Sequence, residues 1–282
     1  MGNTSYSVED RVKRATTLSY MTTSMDAIFT QNVEGKMHSS MSPKNALVRE
    51  ARDSAEHPRT VPIILALDVT GSMGTIPHEL IKHGLPHMMG NMIQKGVEDA
   101  ALLFLAIGDH EVDRCPLQVG QFESGDKEFD QWLTRTYIEQ GGGGNQGESY
   151  SLAYYFAAHH TVTDAWEKRR RKGFLFTVGD EPVLKTIPEA AIRNIMGNTW
   201  QGDIDTTDIL EKAKETYEVY HLHMLSGNSG VRSLSGWKEL LGDHCIPIDN
   251  PEDVADTVAR IVIRGVDELI TPMTDPGETE ML

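Results

Sequence analysis

The chain predicts an α/β fold, with a doubly wound, mostly parallel sheet and helices on both faces. Three observations carry this reading. Val61-Pro-Ile-Ile-Leu-Ala-Leu-Asp68 is an almost wholly apolar run closed by turn residues, the pattern of a strand buried on both faces. Residues 101–107 and 174–178 repeat the pattern, and each runs into a Gly-Asp pair, Gly108-Asp109 and Gly179-Asp180. Helix-like stretches alternate with these runs, which points to parallel strands joined by covering helices.

Taken in order, residues 1–59 are polar and rich in Ser, Thr and Met. They read as an arm too poor in apolar side chains to form a core alone. Within the arm, 45–53 is expected to be helical, with Ser42-Pro43 as its start signal. Residues 60–266 form the main domain. After the first strand, 76–97 predicts a long helix that turns Met88, Met89, Met92 and Ile93 to the sheet. Gly84 and Pro86 mark a kink in it. Residues 116–122 suit an antiparallel edge strand, 126–137 a helix, and 149–160 a helix opened by the glycine run Gly141 to Gly144. Beyond 174–178 come a helix at 206–216, a strand at 218–225, a short helix at 237–241, a strand at 245–248 and a closing helix at 251–264. Residues 267–282 read as an acidic, disordered tail.

Composition narrows the function. The net charge of −16, from 26 basic and 42 acidic residues, opposes a nucleic-acid footprint, which needs a basic face. The basic run Lys168 to Lys172 reads as a solvated helix end. No apolar run approaches membrane-spanning length and the first residues lack a leader pattern, so no membrane role is expected and cytoplasm is the expected location. The two cysteines, Cys115 and Cys245, have neither metal spacing nor the makings of a disulfide framework. His78, His83 and His87, and the alternating pair His221 and His223, read as packing or surface histidines.

The loop after the first strand carries the chemistry. Asp68, Thr70 and Ser72 stand at alternate positions, so a curling turn can bring their oxygens to one point. One carboxylate and two hydroxyls are hard ligands, suited to Mg²⁺, Mn²⁺ or Ca²⁺. The loop opens at the carboxyl edge of the sheet, where ligands bind in open α/β folds.

The sequence Asp68-x-Thr70-Gly-Ser72-Met-Gly74 at a strand end resembles the von Willebrand factor A (vWA) domain family. More narrowly, it resembles the single-domain bacterial and phage members of that family. The resemblance spans about residues 60 to 265 and implies a metal-ion-dependent adhesion site (MIDAS) fed by three loops. Asp180, after the 174–178 strand, matches the third-loop aspartate. The second loop of the family offers a threonine, but here that position is Gly144, which has no side chain to give. Asn145 or Glu148 is the expected substitute ligand, with Asp109, Asp113 and Glu181 on the rim.

The resemblance further implies binding rather than catalysis, with the metal accepting a carboxylate from a partner protein. It also suggests an adaptor working with a separate AAA+ ATPase of the MoxR kind. Two alternatives come from other classes. One is a metal-dependent phosphatase of the haloacid-dehalogenase type, with Asp68 as nucleophile. The other is a metal-independent structural subunit of a larger, phage-type assembly. The glycine run also fits Gly-x-Gly-x-x-Gly, but a helix rather than a strand precedes it, against a dinucleotide loop.

Overall fold

The computed structural model describes residues 4–139, 147–197, 200–225 and 227–270, apart from the side chains at 72, 74, 227, 228 and 268–270. Its centre is a six-stranded sheet in the spatial order Cys245–Ile248, Tyr217–Met224, Gly173–Gly179, Val61–Asp68, Ala100–Ile107, Leu117–Val119. Every neighbouring pair is parallel except the last, where Leu117–Val119 runs antiparallel to Ala100–Ile107. The chain begins in the middle, builds outward to the antiparallel edge, then returns to the other side of its first strand. The order therefore reverses between Val61–Asp68 and Gly173–Gly179. This switch point leaves a crevice at the carboxyl ends of those two strands.

Alternate strand residues feed two cores, as the pleat requires. Ile63, Leu65, Leu102, Phe104 and Phe176 face a layer built from Met88, Met92, Val258 and Val262. Ile64, Ala66, Leu103, Leu175 and Val219 face Tyr154, Phe156, Leu210 and Trp237. The doubly wound, mostly parallel architecture expected from the apolar runs is the one observed.

Three local expectations need correction. The helix expected over 45–53 is instead a 3₁₀ turn at Pro43–Asn45 followed by a strand, Arg49–Ala51, parallel to Thr161–Thr163. Its pairing partner lies too far along the chain for local periodicity to register. The short helix expected at 237–241 is the end of a 15-residue helix, Gly227–Leu241. The kink expected near Gly84 is a π-helical segment, Leu80–Gly84, between the α-helices Thr75–Glu79 and Leu85–Gln94, in which the Leu85 N–H reaches back to the Leu80 carbonyl.

The arm packs onto the domain. Phe29 and Tyr20 join the first core, and Arg11, fully buried, donates to Asp130 (2.6 Å), to Asp126 (3.4 Å) and to the Ile81 carbonyl inside the π segment.

Candidate functional site

Asp68 is the last residue of the central strand and is entirely buried. Gly71 follows with φ +41°, a left-handed conformation that favours glycine, and the loop closes in a 3₁₀ turn, Gly71–Gly74. This curl brings Thr70 back over Asp68. The Asp68 Oδ1 accepts from the Thr70 N–H (2.9 Å) and lies 2.7 Å from the Thr70 hydroxyl. The same hydroxyl lies 3.1 Å from Glu148 Oε1.

Glu148 comes from the second loop, just past the glycine run. Backbone bonds stitch it to the third loop: its N–H donates to the Pro182 carbonyl (2.8 Å) and its carbonyl accepts from Leu184 N–H (3.0 Å). The strands place Gly179 beside Asp68, and Asp180, also buried, follows at once. The Asp180 carbonyl accepts from the Ser233 hydroxyl at 2.7 Å. Three loops thus meet at the switch point. Asn145 and the Ser72 side chain lie outside the described residues.

The electrostatics of this meeting point are unusual. Burial pushes the Asp68 carboxyl well above the ordinary carboxylate range, and nearby Asp180 adds to the rise, against hydrogen bonds from Thr70 and Tyr150. Glu148 is raised by burial first, then by Asp68 and Asp113. One hydroxyl proton cannot be donated to two carboxylates at once, and Glu148 Oε2 is buried with no hydrogen-bond partner. Two acids so close and so buried favour a proton or a cation among their oxygens. The donors are all hard oxygens and so fit a divalent cation. Among the described residues no three His, Cys, Asp or Glu side chains group tightly enough to hold a metal alone. The hydroxyls and water would have to complete its shell.

The rim residues divide. Asp109 Oδ1 caps the Glu111 N–H (3.0 Å), and Asp113 Oδ2 accepts from the Asp109 N–H (2.7 Å), so both shape the turn after their strand. Asp109 Oδ2 is nonetheless buried and without a partner. Glu181 engages through its backbone, its carbonyl accepting from the Trp237 indole at 2.9 Å.

One contributor escaped the sequence reading. Tyr150 donates to Asp68 Oδ2 at 2.8 Å. Behind it, His223 Nε2 donates to the Gly230 carbonyl (2.7 Å), which leaves its Nδ1 to accept from His221 Nε2 (3.0 Å). His221 Nδ1 in turn accepts from the Thr177 hydroxyl (2.9 Å). Burial lowers the basicity of both rings, so this is a neutral packing chain, as expected for histidines alternating in a strand.

A central parallel strand that ends in an Asp-x-Thr-x-Ser loop at the switch point decides the architecture. The fold is an open, doubly wound, mostly parallel α/β sheet. Solved structures of similar fold include the pilus adhesin SpaC from Lactobacillus rhamnosus GG in its open conformation, with TM-score 0.49 and 11% identity, covering 77% of this chain and 31% of that one. Another is the vWF domain of the type V pili tip protein Mfa5 from Porphyromonas gingivalis, with TM-score 0.47 and 11% identity, covering 79% of this chain and 98% of that one. A third is proximal thread matrix protein 1 from the mussel byssus with a zinc-occupied MIDAS motif, with TM-score 0.43 and 9% identity, covering 78% and 49%. The chain thus spans less than a third of SpaC. No protein-family model and no curated protein matches it. Among the described residues no helix is long and apolar enough to cross a membrane.

Proposed function

We propose that this chain is a divalent-cation-dependent protein-binding domain, an adaptor or scaffold rather than an enzyme. Asp68, Thr70, Ser72, Glu148 and Asp180 would hold Mg²⁺, or Mn²⁺ or Ca²⁺ in its place, with Asn145 as a further second-loop donor. Glu148 fills the part that Gly144 leaves open. The carrying observation is the convergence of two buried carboxylates on the single Thr70 hydroxyl, with Glu148 Oε2 left unpartnered.

A bound cation supplies an electrophilic centre that accepts a carboxylate from a partner protein. The chain's own residues fix the oxygens in advance and exclude bulk water from Asp68. A separate AAA+ ATPase in the cytoplasm is the partner class this reading favours. A phosphatase is the weaker reading, because the position two residues after Asp68, where the haloacid-dehalogenase type carries its general acid, is Thr70.

Calorimetric titration of the purified chain with Mg²⁺ and Mn²⁺ tests the proposal. Saturable binding is expected in the wild type, weakened at least about tenfold in Asp68→Ala and Asp180→Ala. Equal binding by wild type and both variants would overturn the assignment.

A further inference from the structure

Tyr150 has no role in the cation site as proposed so far, yet it is the side chain most firmly built into it. It is fully buried, and its ring makes edge contacts with His221 (centroids 5.3 Å apart) and Trp237 (5.2 Å). Trp237 is itself anchored to the Glu181 carbonyl and stacked on His221. The phenol has no freedom to swing away. Its hydroxyl donates to Asp68 Oδ2 at 2.8 Å. Gly179 makes room for this contact. A Cβ there would collide with the Tyr150 hydroxyl and come within 2.9 Å of Asp68 Oδ2.

The consequence follows from how the two cations use carboxylates. Ca²⁺ takes six to eight oxygens and readily accepts both oxygens of one carboxylate, whereas Mg²⁺ demands a compact octahedron with one oxygen per ligand. With Oδ2 held by the phenol, Asp68 is left with Oδ1, the oxygen on the Thr70 side. We propose that Tyr150 is a specificity-determining positioning residue: it holds Asp68 to one-oxygen ligation and so biases the site toward Mg²⁺ over Ca²⁺. This inference rests on the cation-site reading above.

The test is competition calorimetry with Mg²⁺ and Ca²⁺ on the full chain, wild type beside Tyr150→Phe, with a thermal melt of each. The expected result is Mg²⁺ affinity weakened about 10- to 100-fold, Ca²⁺ affinity kept or improved, and the preference ratio reduced accordingly. Equal weakening of both cations, or an unchanged ratio, overturns the proposal while leaving the site intact. A wild type that binds neither cation overturns the underlying site as well.

If Tyr150→Phe does not fold, the wild type supplies the measurement through the slowly exchanging Tyr150 hydroxyl proton in NMR spectra. The proton should persist under saturating Mg²⁺ and under saturating Ca²⁺, because the phenol keeps Oδ2 from either ion. Its loss under Ca²⁺, which would mean that Asp68 turns both oxygens to the ion, would overturn the role.

Discussion

Two pairs of acids are buried to much the same depth in this protein, and they are treated in opposite ways. Asp126 and Asp130 lie 4% and 8% exposed, and Asp68 and Glu148 0% and 6%. The first pair is met by the chain's own cations: Arg11 reaches both carboxylates, Arg14 adds a 2.6 Å contact to Asp126, and the Tyr20 hydroxyl donates to Asp130. The second pair receives only neutral donors, from Thr70 and Tyr150, and among the described residues no Lys or Arg pairs with it. Burial alone therefore does not mark a functional site. A buried acid whose counter-charge is supplied internally is a fastening, and one met by neutral donors alone holds a proton or, on the reading proposed above, a cation.

The sharpest break in this comparison is Arg11→Ala. It would strand two buried carboxylates, and a loss of about 3–5 kcal/mol is expected, measured as a lower urea midpoint. A smaller effect is expected at the other pair, where the missing charge can be added. Saturating Mg²⁺ should raise stability by about 2.7 kcal/mol at a hundred times its Kd, read as a shift in melting temperature that Asp68→Asn abolishes. An equal shift in that variant would mean the ion binds elsewhere.

The smallest expected effect is on pH dependence. Asp68 and Glu148 hold protons more tightly folded than unfolded, up to about 7 and about 9, so between about pH 4 and about pH 9 the folded state binds more protons and loses stability as pH rises. In chelator, the melting temperature should fall by a few degrees across this range. With Mg²⁺ present the slope should flatten, because the cation takes the place of the proton. A slope unaffected by Mg²⁺ would separate these acids from the cation site.

Much of the fold was legible because its strands are apolar runs with turn residues at their ends, a signal that needs no knowledge of distant contacts. The helix Gly227–Leu241 was not, since its glycines read as loop. Yet a Cβ at Gly230 would collide with the Met224 carbonyl, so that glycine serves close packing against a strand end. The π segment shows in the sequence only as one long step: buried Ile76, Leu80, Leu85 and Met88 follow at four, five and three residues. At the site, the Asp68 loop is local and could be read directly. Tyr150 could not be recognised, because its reach to Asp68 depends on a glycine 29 positions later, at the end of another strand. The attachment of the arm through Arg11 was hidden for a similar reason: nothing around Arg11 foretells acids more than a hundred residues away.

The π segment also bears on which substitutions the arm's attachment can survive. One of Arg11's three acceptors is the Ile81 carbonyl, a main-chain atom. Side-chain acceptors vanish with a single codon change, as Asp126 or Asp130 would. The main-chain acceptor persists whatever residue stands at 81, so long as the backbone keeps its wide turn. The attachment is thus written partly in the path of the chain, in the helix that follows the candidate cation loop.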